Sequence, residues 1–299
     1  MDMHRGSLIL PKDWPSISRV RKMISDYGYK LGDCWNLDVI FEDMKKIKLI
    51  LEYDGTAYHG WQVQKKGLLT IQGVLEDRIF RITGERSRVV GASRTDAGVH
   101  AFGQVAAFST VSDLSVAKLK RALNAMLPQD IRVLHATEIE ESFHPRQSAI
   151  KKRYFYVISN QEESSAFLFR YSWLVKHHLD LTQVKEAARA LIGIHDFSSF
   201  MGTGSSIKNP EREIFLVNVE KLKQIDFMTM SLKGKFIKIS IEANGFLRHM
   251  VRNIIGTLVE IGRGKFSADK MQEILRTRDR RLAGPTAPSN GLFLERIIY

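Results

Sequence analysis

The sequence predicts an α+β fold, a largely antiparallel sheet with helices laid against it. Three observations lead there. Short runs alternate apolar and polar residues with the period of a half-buried strand: Ile47, Leu49, Leu51 and Tyr53 interleave with Lys48 and Glu52, and Ile237, Ile239 and Ile241 with Lys238, Ser240 and Glu242. Other segments repeat apolar residues at spacings of three and four, the stripe of a helix packed on one side. Turn dipeptides, Asp54-Gly55 and Asn244-Gly245, separate the two kinds of run. The stretches LEYDGTAYHGW and IEANGFLRHMV echo each other as strand, glycine turn and helix, a weak sign of two similar α/β subdomains.

Residues 1–46 differ from the rest and read as an N-terminal extension, with short helices at 19–27 and 37–44 after the breaks at Pro11 and Pro15. A first subdomain, 47–149, opens with the strand ending at Tyr53. Thr70 then caps a helix whose stripe is Ile71, Val74, Leu75, Ile79 and Ile82. Strands are expected at 88–91 and 104–109. A helix is expected over 115–126, turning Leu119, Leu123 and Met126 inward and ending at Pro128, and a further strand over 131–137. The second subdomain, 150–299, begins with a strand at 154–159 and a helix at 182–192, with Gly193 as its C′ residue. Strands at 215–220, 227–232 and 236–243 follow. Asn244-Gly245 then leads into an amphipathic helix over 247–261, and Ser267 caps a helix bearing Met271, Ile274 and Leu275. Residues 291–299 close the chain as a strand.

Composition narrows the partners. The 299 residues carry a formal charge of +12, and 44% are hydrophobic. Such a chain can bury a core, and its charge suits a polyanion, most commonly nucleic acid. Residues 1–46 hold seven acidic and eight basic residues, so the excess belongs to the main body. Cys34 is the single cysteine, which excludes a disulfide framework and a cysteine-rich zinc site and fits a cytoplasmic protein. No apolar run reaches the roughly 20 residues of a membrane span. The N-terminus lacks the h-region of a secretory signal and is too acidic for a transit peptide.

The usual signatures of hydrolases and oxidoreductases are missing. There is no P-loop. GTGSSI at 202–207 starts like a dinucleotide loop but places Ile207 at its sixth position. The nine histidines form no H-E-x-x-H or Cys/His cluster, and pairs such as His177-His178 read as surface or packing residues. No G-x-S-x-G elbow occurs. No metal or cofactor is expected.

Attention falls on residues 91–105, GASRTDAGVHAFGQV, where three glycines, an Arg, an Asp and a His sit between apolar runs. Asp96 on such a loop reads as a turn residue, nucleophile, base or metal ligand. Arg94, two residues away, brings a cation that suits a nucleophile or electrostatic stabiliser better than a general acid.

RTDAGVHA followed by GQV resembles the signature of the TruA family of pseudouridine synthases. YDGTAYHGWQ (53–62), IQGVLEDRI (71–79), FHPRQSAIKKRYFYVI (143–158), HDFSSF (195–200), NGFLRHMVRNIIG (244–256) and GLFL (291–294) follow in that family's order. The likeness spans roughly 47–299; the extension falls outside it. Ser93 stands where many relatives carry Gly, so the loop is slightly less free there.

The resemblance implies a pseudouridine synthase fold, with two subdomains joined in one sheet around a central cleft. It implies isomerisation of uridine to pseudouridine without a cofactor, in the anticodon stem-loop of tRNA at positions 38, 39 and 40, by a homodimer. By the same match Asp96 is the nucleophile, whether it attacks the ribose, adds to the base or works through a glycal. Arg94 fills the space left by the flipped nucleotide, whose extrusion costs a few kcal/mol. Tyr154 stacks on the uracil and assists proton removal, Arg252 pairs with Asp96, and Leu292 walls the base pocket. Judged singly, Arg94 would be a loop-stabilising ion pair, Tyr154 and Leu292 packing residues, and Arg252 a solvated charge on a helix. His249 and Met250 read equally well as packing residues. The basic clusters 146–153 and 263–281 are candidates for phosphate contacts. Two other readings stay open: a synthase for another RNA, and a non-catalytic RNA-binding protein.

Overall fold

Period-two alternation sets the order of the sheet. The computed structural model describes residues 44–64, 67–202, 204 and 209–299. The helices expected at 19–27 and, but for its last residue, 37–44, and most of the 202–207 loop, lie outside the described residues. In chain order the elements are β1 (Lys45–Tyr53), α1 (Ile71–Thr83), β2 (Val90–Gly91), β3 (His100–Thr110), α2 (Val116–Met126) and β4 (Ile131–Ile139). The second half continues with β5 (Lys151–Ser159), β6 (Trp173–Leu174), α3 (Leu181–Arg189), β7 (Gly193–Asp196), β8 (Glu211–Phe227) and β9 (Met230–Ala243). Then come α4 (Met250–Gly262), α5 (Lys270–Thr277) and β10 (Leu292–Ile298).

One sheet runs β4-β1-β3-β10-β5-β9-β8-β7, with β2 added beside β3 and β6 beside β5. Along that path, pairing within each half is antiparallel. The C-terminal strand joins the halves: β10 lies parallel to β3 and antiparallel to β5. The architecture is therefore the α+β arrangement read from the sequence, with the last strand of the chain at its centre.

Each strand's alternation decides which face meets the core. On β1, Ile47, Leu49, Leu51 and Tyr53 are buried; on β5, Lys152, Tyr154, Tyr156 and Ile158 are. Arg153 of β5 points to the opposite face, where it pairs with Glu242 of β9. The helix α1 starts at Thr70, whose hydroxyl accepts a hydrogen bond from the Gly73 amide, and buries Ile71, Val74, Leu75 and Ile79. Ser115 likewise caps α2 through the Lys118 amide, and Leu119 and Leu123 go inward.

Several local expectations are revised. The three strands expected between 215 and 243 are two long ones, and the run 227–232 straddles the hairpin turn, where Met228 takes φ 55°. Apolar alternation runs on through that turn, so periodicity alone hides it. Gly193 does not end α3, which stops at Arg189; it opens β7 with φ 104°. Asp269, not Ser267, precedes α5. The helix α4 is buried on every side, since all its residues except Arg252 are buried. Gly256 explains how it sits so deep: a Cβ there would lie 1.7 Å from the Pro285 carbonyl oxygen, so only glycine lets the 284–287 segment cross the helix.

Candidate active site

Asp96 sits on the loop from β2 to β3, and the loop is fixed before any substrate arrives. Where backbone pairing of β2 ends, the Gln104 side chain takes over as a strand partner. Its Oε1 accepts from the Ser93 amide at 3.1 Å, and its Nε2 donates to the Ser93 carbonyl at 2.6 Å. Next, the Thr95 carbonyl accepts from the Trp61 amide at 3.0 Å, and the Thr95 hydroxyl bonds the buried Tyr53 hydroxyl at 2.8 Å. Burial pushes the Tyr53 phenol up to about 12, against the effect of its bonds to Thr95 and Gln104, so it stays neutral. Gly60 lies against the same carbonyl; it adopts φ 90°, and a Cβ there would come within 2.6 Å of the Thr95 oxygen. The Gly98 amide donates to the Tyr58 carbonyl, and the Val99 amide to the Asp96 carbonyl.

This loop presents the Asp96 carboxylate to the N-terminal turn of α4. Arg252 Nη1 donates to Asp96 Oδ2 at 3.1 Å. The same guanidinium is anchored on its other edge, where Nε donates to the Ala287 carbonyl at 2.8 Å. An arginine held at two points fixes the direction of the carboxylate. His249 Nε2 approaches the same oxygen at 3.6 Å. Among the described residues no hydrogen bond engages Asp96 Oδ1, so one oxygen is tied and the other open.

His249 has an unusual backbone. It begins α4 in the left-handed region, φ 59°, which costs a residue with a Cβ about 1–2 kcal/mol. Its ring packs on Gly202, where a Cβ would lie 2.8 Å from Nδ1. Burial, with the Arg252, Arg248 and Arg280 cations, outweighs the Asp96 carboxylate and lowers the imidazole below its ordinary value, so it is neutral at pH 7.

Tyr154 is 5% exposed, and its hydroxyl lies 2.7 Å from the Ser93 hydroxyl. Burial raises its phenol well above the ordinary tyrosine range, so the group works protonated. Its ring meets Phe246 edge-on with centroids 5.2 Å apart. Leu292 is buried and pairs in register with Tyr156, two residues along β10 from the pair Leu294 and Tyr154. Arg94 is exposed, and among the described residues no ion pair holds it.

The structure therefore gathers Asp96, Arg252, Tyr154 and Leu292 around the join of the two half-sheets, with Arg94 at the rim. Reading the residues alone missed Gln104 and Phe246, left His249 equally readable as a packing residue, and saw in Ser93 only a less free loop position. The left-handed conformation of His249 leaves no mark in its residue type, and Gln104 and Ser93 matter through a pairing that needs the register. Among the described residues no group of three His, Cys, Asp or Glu converges as a metal site, and no helix is long and apolar enough to cross a membrane. A cavity of about 250 Å³ bounded by Asp54, His100, Asp130, Tyr171 and Phe293 is separate from Asp96.

Comparison with known proteins identifies the family. A family model described as tRNA pseudouridine synthase matches residues 49–146 and 187–299. A protein of Thermoanaerobacter sp. (strain X514) called tRNA pseudouridine synthase A is 45% identical over 256 residues, 86% of this chain and 100% of the relative. One of the same name from Thermodesulfovibrio yellowstonii is 44% identical over the same shares. Among solved structures, the crystal structure of a Cbf5–Nop10–Gar1 complex aligns at 12% identity and a TM-score of 0.29, over 72% of this chain and 45% of that one, a likeness too slight to carry an argument.

Proposed function

Since the chain belongs to the tRNA pseudouridine synthase family, and so isomerises uridine in tRNA, we propose that Asp96 is its nucleophile and the anticodon stem-loop its target, at positions 38, 39 and 40. The observation that carries the first part is the Asp96 carboxylate, held through Oδ2 by Arg252 with Oδ1 open, on a rigid loop beside a buried tyrosine.

In the reaction the N1–C1′ bond breaks, the uracil turns, a C5–C1′ bond forms, and the proton on C5 ends on N1. Nothing is oxidised or reduced. Asp96 Oδ1 is the atom free to meet the substrate, at the ribose carbon or the base. Arg252 keeps the carboxylate aimed at the substrate. Tyr154 supports the detached ring by its face. Its neutral hydroxyl, bonded to Ser93, suits relaying the C5 proton better than abstracting it as a phenolate. Leu292 closes the base pocket against water, and Arg94 stands where a side chain can fill the gap left by an extruded nucleotide. By the same premise the enzyme acts in the cytoplasm as a homodimer, which light scattering on the purified chain tests.

The deciding experiment incubates unmodified tRNA transcripts with the protein and with Asp96→Asn, then maps pseudouridine by carbodiimide-dependent primer extension. New stops in the anticodon stem-loop that vanish with the variant are expected, with tRNA affinity within roughly threefold. Stops elsewhere overturn the target, and an active variant overturns the nucleophile.

A further inference from the structure

The run Lys151-Lys152-Arg153 looks like one basic cluster in the sequence, but the strand divides it. Lys151 and Arg153 face one side of the sheet, where Glu242 lies 3.8 and 2.7 Å away and Glu295 also approaches Arg153. They are neutralised there. Lys152 faces the other side, with Tyr154, and is 7% exposed. Its ammonium donates to the Ala92 carbonyl at 2.7 Å, and among the described residues no carboxylate pairs with it.

Two more cations, Arg146 and Arg212, act on this lysine, and neither has a carboxylate partner among the described residues. Arg146 and Arg212 both depress Lys152, after desolvation, to about 8. Desolvation and then Arg94 pull Arg146 below its ordinary value. Among the described residues Arg212 bonds only carbonyl oxygens, such as that of Asn209 at 3.0 Å. Like charges brought together without a counter-charge raise the free energy of the empty protein. A group with several negative oxygens relieves that repulsion.

The position says which group. Ala92, whose carbonyl accepts a hydrogen bond from the Lys152 ammonium, is followed by Ser93, the partner of Tyr154, and by Arg94 and Asp96. Arg212 packs on Gly245, within 3.5 Å of where its Cβ would be, and the next residue, Phe246, packs on Tyr154. Lys152 and Arg212 thus touch residues next in sequence to Ser93 and Phe246, the two partners of Tyr154.

We infer that Lys152, Arg146 and Arg212 form a binding site for one backbone phosphate of the RNA next to the reacting nucleotide, which sets that nucleotide's ribose over Asp96. This rests on the reading of the chain as an isomerase of RNA uridine. Lys152 is the centre of the site because it is buried and fixed, while half-buried Arg212 and exposed Arg146 reach the phosphate from farther out.

The test combines chemical neutralisation of single phosphates with substitution. Anticodon stem-loops carrying one methylphosphonate at successive positions around the target uridine are titrated with the wild-type chain, Lys152→Met and Arg212→Gln. For the wild type, neutralising one flanking phosphate should weaken binding about tenfold, the worth of a charge-assisted contact. At that position both variants should lose less than about twofold, since the contact is already gone, while other positions behave as in the wild type. Variants that remain as sensitive as the wild type at every phosphate overturn the proposal. The surface substitution Arg212→Gln keeps the test open should Lys152→Met fold poorly. Because binding is read, a chain that binds with this coupling but forms no pseudouridine would overturn the isomerase reading and leave the phosphate site standing.

Discussion

Replacing Arg252 by glutamine removes the one residue that spans Asp96 and the 284–287 segment. The variant loses a charge-assisted bond of 3.1 Å to Asp96 Oδ2 and a 2.8 Å bond to the carbonyl of Ala287. The Asp96 side chain is 25% exposed, so water replaces part of what is lost, and stability should fall by only about 1–2 kcal/mol. Catalysis should suffer more. With only His249 left at 3.6 Å, the carboxylate can turn, and the open oxygen is no longer fixed toward the substrate. A preorganised partner of this kind contributes about 3–4 kcal/mol to the barrier, or roughly 10²–10³ in kcat. Single-turnover pseudouridine formation on saturating tRNA measures this, with affinity read separately. Adding Arg252→Gln to Asp96→Asn should cost nothing further in turnover, because the arginine acts through the aspartate. A loss of under about threefold in Arg252→Gln, or a fall in affinity that matches the fall in rate, would refute the positioning role.

Three further outcomes follow from the same structure. Gly256→Ala drives a Cβ into the Pro285 carbonyl, so overpacking of about 1–3 kcal/mol or more is expected, seen as a drop of several degrees in Tm, together with slower turnover as Ala287 moves away from Arg252. Lys152 lies at about 8 when folded, below its ordinary 10.5, so the folded state resists its proton. That penalty, about 3 kcal/mol, is complete below pH 8 and fades as pH rises toward 10.5, where the unfolded chain loses its proton too. Denaturant titrations should therefore show the stability of wild type rising relative to Lys152→Met between pH 8 and 10; parallel curves would contradict the buried charge. Raising salt from low to moderate should weaken tRNA binding steeply, and a flat response in filter binding would contradict phosphate-dominated contact.

Much of the fold is legible because a strand with one buried face writes its period into the residues. The burial of β1 and of the α1 stripe follows from Ile47–Tyr53 and Ile71–Ile79 residue by residue. The hairpin at Met228 escapes because the turn is made by a methionine with φ 55° and carries no glycine, proline or asparagine. The central place of β10 escapes for a different reason: a strand's neighbours depend on contacts far along the chain, and nothing within 292–298 names β3 and β5. In the site, Asp96, Arg94, Tyr154, Arg252 and Leu292 stand out through motif likeness, not through their chemistry. What geometry adds is the second layer, in which Gln104 continues the β2 ladder and His249 takes a strained backbone beside the carboxylate.

That second layer also explains why the two halves must be locked together. Asp96 belongs to the first half-sheet and Arg252 to the second, so their 3.1 Å contact is only as constant as the join between them. Strand β10 makes the join by bonding to both halves. The segment leading into it is tied to α4 within the second half: residues 284–287 cross α4 at Gly256, and Ala287 exchanges bonds with Arg252, accepting from its Nε and donating its own amide to the Arg252 carbonyl at 3.1 Å. A shift between the halves would therefore strain buried backbone before it moved the carboxylate. The electrostatic partner of Asp96 is set during folding, and no reorganisation is left for the moment of reaction.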